Sequence, residues 1–475
     1  MLTSAIFIGF ILLQLLVGVV ISRFIKTGDD YFVAGRKQGP LIVTFSIFAT
    51  WFGSESCLGT AGRVYENGLL GSRADPFGYT ICLLIYGFLL VRHLWSKEIV
   101  TIGDVIGKRF GPTAETLAGL ILAITSLLWA SGQVRAFGHI LSLHLSMNLT
   151  LAVVLATSVA VIYTAFGGLL ADAYTDLLQG IILIIGLIVL FYVVVFQESD
   201  ESTLSILKNL PMNRTRLFAS QSSLLENIDA WLVPIAGALV SQELVARVSG
   251  ARTQKIATTS AIIAGILYLI VGLIPLVLGL LAPSLLGHVA NSDETLILLA
   301  NKYLPTTLNL LFSAGLVSAI LSTVDSAFLA GSASLTRNVA SRFVTLTSER
   351  QLKLGRLFVV LMGIAACILG LSSENIYNLV IAAASFGTAG VLILFLIGLF
   401  TKIGHSLTGV LTLLTGLITT IIFDHLHPIP APYVWSMLSS LFCFCSVEAM
   451  MQSRVYFRKR RMVTAYDSLS ENRVE

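Results

Sequence analysis

Leu311 to Arg337 reads LFSAGLVSAILSTVDSAFLAGSASLTR, and this stretch decides the fold. It exceeds the roughly 20 apolar residues that a bilayer-spanning helix needs. Yet hydroxyls and one carboxylate sit at its centre. At about 100° per residue, Ala319, Ser322, Thr323, Ser326, Ala330 and Ala333 share one narrow face. Small residues on one face fit a tight helix–helix contact in lipid. Asp325 in the same turn asks for more, because a carboxylate at membrane depth costs roughly 2.5–3.5 kcal/mol and usually marks an ion or substrate path. Hard cations take oxygen ligands, and this face supplies them.

Composition agrees with a membrane protein. Hydrophobic residues make up 56% of the 475-residue chain and charged residues 12%, with a mean hydropathy of +0.87. Soluble domains carry about 25% charged residues. Cys57, Cys82, Cys367, Cys443 and Cys445 all lie in apolar surroundings and imply no disulfide framework. The first apolar segment lacks the basic start and small-residue cleavage site of a secretory signal.

Thirteen apolar spans are expected, near 4–23, 40–65, 76–96, 115–143, 149–167, 173–196, 226–249, 257–282, 306–336, 355–372, 376–400, 406–424 and 433–452. With the N-terminus outside, 23 of the 30 Lys and Arg fall on the cytoplasmic side and six outside. The positive-inside rule therefore puts the N-terminus out and the C-terminus in. The polar linker from Gln197 to Ser222 divides the core spans five and five. This gives repeats of about 40–196 and 226–400 within one transmembrane domain, 1–453, followed by a solvated cytoplasmic tail, 454–475. Spans in corresponding places of the two halves are interrupted, by Gly53, Gly59 and Gly62 in one and by Pro234 and Gly237 in the other. Paired broken helices point to a transporter with a midplane site.

The first broken span, SIFATWFGSESCLGTAGRVY, carries Trp51 and Glu55. Its exposed half-helix ends can hold a cation or an anionic group. Asp172 and Asp176 share a helix face. Asp172 reads as a solvated helix start, and Asp176, one turn deeper, as an ion-path candidate. Trp51, Tyr79 and Trp129 form an aromatic cage if their spans pack together, and such a cage attracts quaternary ammonium. Arg135 has two readings: an ion pair with Glu55, or a bidentate reader of a substrate carboxylate. Glu243, beside Gln242, reads as a structural pair for Arg247.

Three motifs together resemble the sodium:solute symporter family: DYFVAGR (Asp30 to Arg36), YTAFGGLLADAYTDLLQG (Tyr163 to Gly180) and SAILSTVDSAFLAGSASLTRN (Ser318 to Asn338). The resemblance implies the LeuT-like fold, an all-α inverted repeat of five plus five helices with extra helices outside. It implies a sodium site at Ala49, Phe52, Ala319, Ser322 and Thr323. A second ion site is implied at Asp176, Ser322, Asp325 and Ser326, with Asp325 replacing a serine of the two-site pattern. ATWFG (Ala49 to Gly53), PFGY and the Trp129–Ala130 pair resemble the choline-transporter branch, whose aromatics cage an ammonium. Two positions depart from that branch: Ser241 stands in place of a cage tryptophan, and Arg135 in place of a small residue. They point to a zwitterion, with its ammonium on Trp51, Tyr79 and Trp129 and its carboxylate toward Arg135. Ser241 and Gln242 complete the implied substrate set.

The expected function is sodium-coupled import of a small organic solute, amine-bearing or zwitterionic, across the inner or plasma membrane. The alternative is sodium- or proton-coupled import of a carboxylate, amino acid or sugar read by Arg135. The chain has no H-E-x-x-H and no G-x-S-x-G motif, so no enzyme is expected. Sodium is the only ion called for, with no other cofactor. The partners are the solute, sodium and the bilayer, not nucleic acid.

Overall fold

The computed structural model describes residues 2–96, 99–197, 202–220, 222–373 and 376–471. These are helical nearly throughout, as lipid requires of a backbone that must satisfy its own hydrogen bonds. We label α1 Leu2–Ser22, α2 Pro40–Trp51, α3 Thr60–Asn67, α4 Pro112–Leu145 and α5 Leu149–Tyr192. There follow α6 Leu224–Leu232, α7 Gln242–Gly250, α8 Gln254–Leu286, α9 Thr306–Ser334 and α10 Ser348–Ser372. The series ends with α11 Ile376–Ser385, α12 Thr388–Phe400, α13 Ser406–Ile421 and α14 Pro432–Glu471.

Local chemistry sets several starts. Ser223 and Glu226 form a capping box at the head of α6, and Thr101 and Asp104 form another before the short helix Ile102–Phe110. Asn148 caps α5 through the Thr150 amide.

Helix α9 is the centre. Every residue from Phe312 to Ser334 is buried, and α9 packs chiefly along α5 and α4. Large apolar side chains on α5, α8 and α10, such as Ile185, Ile270 and Ile368, face outward as a lipid-exposed surface does. The small-residue face of α9 is what lets the polar interior close around it.

Among the described residues, eight helices are long and apolar enough to cross a membrane, or ten counting two bent pairs as one span each. The count of thirteen spans is not confirmed. The first core span, for instance, is divided after α2, which is too short alone, and its second part, from the π-helical turn Glu55–Gly59 through α3, runs on with the next expected span as one helical stretch, Glu55–Ser96. The spans expected at 149–167 and 173–196 run together as α5, broken at Gly168, which takes φ 51°. A Cβ there would lie 2.5 Å from the Tyr31 ring, so glycine is needed on both counts.

Both expected interruptions exist. Helix α2 ends at Phe52 (φ −89°, ψ 62°). The second is displaced from Pro234 and Gly237: the chain turns by 48° at Ser241, which is extended (φ −68°, ψ 120°). A bridge between Gln38 and Ala251 ties the segment before α2 to the end of α7. The backbone of the tail continues α14 to Glu471, and residues 472–475 lie outside the described residues.

Candidate functional site

The break after α2 meets the middle of α9. Thr323 donates to the Ala319 carbonyl at 3.1 Å, and its hydroxyl lies 3.5 Å from the Ala49 carbonyl across the interface. Gly53 sits where no side chain fits: a Cβ would stand 2.6 Å from Thr323 Oγ1 and 2.9 Å from both Gln133 Oε1 and Glu55 Oε2. Phe52 is anchored by stacking on Phe48 (ring centroids 5.1 Å) and by an edge contact with Tyr268 (5.3 Å). Ala49, Phe52, Ala319 and Thr323 are therefore gathered at one break. Ser322 turns the other way, donating to Asp176.

Toward the expected cytoplasmic side lies a second polar cluster. Asp176 accepts from Ser322 and from Ser46 at 2.6 Å. Arg247, 1% exposed, donates to Asp172 and Ser326 and, at 2.5 Å, to Thr50. Its guanidinium stands 3.9 Å from Asp176. Two expectations are corrected. Asp172 is fully buried rather than a solvated helix start. Arg247 pairs with Asp172 and not with the Glu243 carboxylate, meeting only the Glu243 carbonyl at 3.4 Å. The cause is that α7 brings Arg247 inward against the small face of α9, where the carboxylates of α5 need a counter-charge and the Ser326 hydroxyl accepts a hydrogen bond. Asp325 and Ser326 join this cluster: Asp325 Oδ1 accepts from the Ser326 amide at 2.8 Å, and the buried Asp325 carboxyl lies against that of Asp172.

Trp51, Tyr79 and Trp129 do converge. They line one cavity together with Ser241, Glu55 and Glu243. The Trp51 and Tyr79 rings meet edge to face at 5.5 Å. Glu55 is held at both oxygens, by Trp129 Nε1 at 3.0 Å and Gln133 Nε2 at 2.5 Å. The Ser54 amide donates to Gln133 Oε1 at 2.9 Å, which fixes the amide so that its NH₂ faces Glu55. Glu243 sits in the first turn of α7, where the helix dipole favours a carboxylate, and accepts from Ser126 at 2.8 Å and Ser241 at 2.6 Å.

Two predicted substrate residues lie elsewhere. Arg135 donates to the Gly370 carbonyl at 2.8 Å; it neither lines the cavity nor pairs with Glu55, whose oxygens are taken by neutral donors. Gln242 clamps the backbone, accepting from the Ile102 amide and donating to the Val100 carbonyl, both at 2.9 Å. Sequence reasoning missed Gln133, Asp75 and the cavity role of Glu243. For Glu243 a signal existed, namely an acidic residue in the first turn after an expected break.

Comparison with known proteins gives concordant results. The sequence profile of the sodium:solute symporter family matches residues 31–416. The high-affinity choline transporter 1 of Drosophila melanogaster is 29% identical over 387 residues, covering 78% of this chain and 62% of that protein. The chain thus spans about three-fifths of the length of that relative. The sodium/proline symporter of Haemophilus influenzae is 27% identical over 474 residues, covering 93% and 92% of the two chains. A Na⁺-coupled sialic acid symporter, solved in a substrate-bound outward-open state, superposes with a TM-score of 0.79 at 18% identity over 95% of this chain and 98% of that one. At that identity the likeness concerns the fold.

Proposed function

Because the chain belongs to the sodium:solute symporter family, we propose that it is a sodium-coupled secondary symporter importing a small organic cation. The observation that carries this reading is the meeting of two sites at Gly53. Thr323 Oγ1 and Glu55 Oε2 both lie within 3 Å of the position a Cβ on Gly53 would take. Thr323, with the carbonyls of Ala49, Phe52 and Ala319, offers oxygens to sodium. Glu55 belongs to the aromatic cavity as well. A sodium ion at the break and an ammonium in the cavity are then drawn to one carboxylate from opposite sides.

Sodium links α2 to α9 and so favours the conformation in which both are joined. Coupling requires that preference, because an ion with equal affinity for all states shifts nothing. The Asp176, Asp325 and Ser326 cluster is a candidate second ion site, with Arg247 already present as a tethered cation. The aromatic cavity favours an amine over a carboxylate, since among the described residues no basic side chain lines it. The protein lies in the inner or plasma membrane with its N-terminus outside and its C-terminus in the cytoplasm.

The test is uptake of labelled choline into proteoliposomes under an inward sodium gradient, with potassium as control and the pH gradient fixed. Unlabelled amines, betaine, proline and sialic acid serve as competitors. Sodium-dependent uptake suppressed by amines supports the reading. Uptake that follows the proton gradient without sodium, or that only carboxylates suppress, overturns it.

A further inference from the structure

The main cavity continues into a second one, and the two share Glu55, Tyr79 and Val380. The second cavity adds Asp75 and Thr60, and ends at Arg63, Gly71 and Ala74, which it shares with a third, wider cavity. Three carboxylates therefore follow one route: Glu243 and Glu55 in the first cavity, then Glu55 and Asp75 in the second. They are 3%, 6% and 5% exposed.

Asp75 is the informative member. One oxygen accepts from Ser56 at 2.5 Å and from Tyr268 at 2.6 Å, which locks the carboxylate in place. The other oxygen, Oδ1, is buried without a hydrogen-bond partner. An orphaned carboxylate oxygen away from water costs free energy unless a ligand meets it. No basic side chain lines the main cavity among the described residues, and the second has only Arg63, at its far end and electrostatically linked to Asp293. The carboxylates are also not gathered as a metal centre gathers them: among the described residues no group of three or more His, Cys, Asp or Glu could hold a metal ion. They are strung out along a route, and a ligand that answers them must be extended.

We infer that the substrate is an aliphatic diammonium ion, with one ammonium in the aromatic cavity between Glu55 and Glu243 and the other at Asp75 in the adjoining cavity. Charge supports this assignment. Two ammonium groups and the sodium ion at the break balance Glu55, Glu243 and Asp75 without drawing on Arg63, which stands at the far end of the second cavity and also faces Asp293. The methylene chain lies beside Tyr79, which lines both cavities. The inference rests on the organic-cation reading above and names its substrate class.

The experiment is equilibrium binding to the full-length protein in nanodiscs at saturating sodium. It compares α,ω-diamines of three to six carbons with n-alkylmonoamines of matching length and with choline. The diamine of best length is expected to bind roughly 10- to 100-fold more tightly than its monoamine, the range of one added charge-assisted hydrogen bond. D75N, which keeps the acceptor for Ser56 and Tyr268, is expected to collapse that preference toward unity. A monoamine or choline binding as tightly as every diamine to the unmodified protein overturns the diammonium assignment but leaves the organic-cation reading standing. A preference that D75N does not change also overturns it. Failure of every amine to bind a protein that is monodisperse and melts cooperatively overturns both.

Discussion

Replacing Gly53 with alanine tests the junction between ion and substrate with a single methyl group. The new Cβ would lie 2.6 Å from Thr323 Oγ1 and 2.9 Å from Glu55 Oε2 and Gln133 Oε1, closer than such contacts occur. Something must move, and α9 cannot, because it is buried along its whole central length. The Thr323 and Glu55 side chains are therefore displaced from the break. Overpacking of this kind costs about 1–3 kcal/mol. Expressed on the ligand-competent arrangement, that is roughly a 5- to 150-fold rise in the sodium concentration for half-maximal uptake. The affinity for the organic cation falls with it. Gly39→Ala is the matched control: it lies just before α2, at the start of the same broken span, and a Cβ there meets nothing within 4 Å. The assay is initial-rate uptake in proteoliposomes over a sodium titration, with equal reconstituted protein. A G53A protein with normal sodium and substrate dependence would refute the idea that the two sites meet at this residue.

Further predictions follow from other parts of the interior. Arg247→Met removes the cation from a cluster holding Asp172 and Asp176, and breaking a buried pair costs about 3–5 kcal/mol; thermal melts should show a large loss, partly recovered in the D172N/R247M double variant. Arg135→Gln should leave the preference between cations and zwitterions within about twofold, well under the 1.4 kcal/mol of a tenfold change, because Arg135 reaches the Gly370 carbonyl and not the cavity; competition uptake reads this directly. Gly168→Ala forces a positive φ on a side-chain residue and drives its Cβ to 2.5 Å from Tyr31. A loss of about 1–3 kcal/mol is expected, seen as a lowered melting temperature.

The architecture was legible where a physical demand leaves a one-dimensional trace. The oxygen-bearing face of α9 is read from its period alone, but its hydroxyls divide between two directions that the period does not separate: Thr323 toward Ala49, and Ser322 and Ser326 toward Asp176 and Asp172. The aromatic triad was legible because few residue types can cage a cation. The partners of the charged residues were not. Arg135 and Glu55 are close in sequence logic, but the helical turn that offers Trp129 and Gln133 to Glu55 carries Arg135 to another helix face, against α10. Arg247 and Glu243 are four apart, the ordinary spacing of a helical pair. Tertiary packing overrides it, since Asp172 on α5 and Ser326 on α9 claim the guanidinium while Ser126 and Ser241 satisfy the carboxylate. Asp75 went unnoticed because a lone acid beside PFGY has no periodic signature, and only the fold shows that the residue lines a cavity and that one of its oxygens is buried without a hydrogen-bond partner.

Linkage between the two ligands tests the central claim most directly. Affinity for the organic cation would be measured with and without sodium, and affinity for sodium with and without the cation, in the unmodified protein and in T323A. Thermodynamic reciprocity requires the same factor both ways, typically about 5- to 150-fold. The account predicts that this factor is present in the unmodified protein and falls to near one in T323A. A cation affinity indifferent to sodium, or a factor that T323A leaves intact, would contradict it.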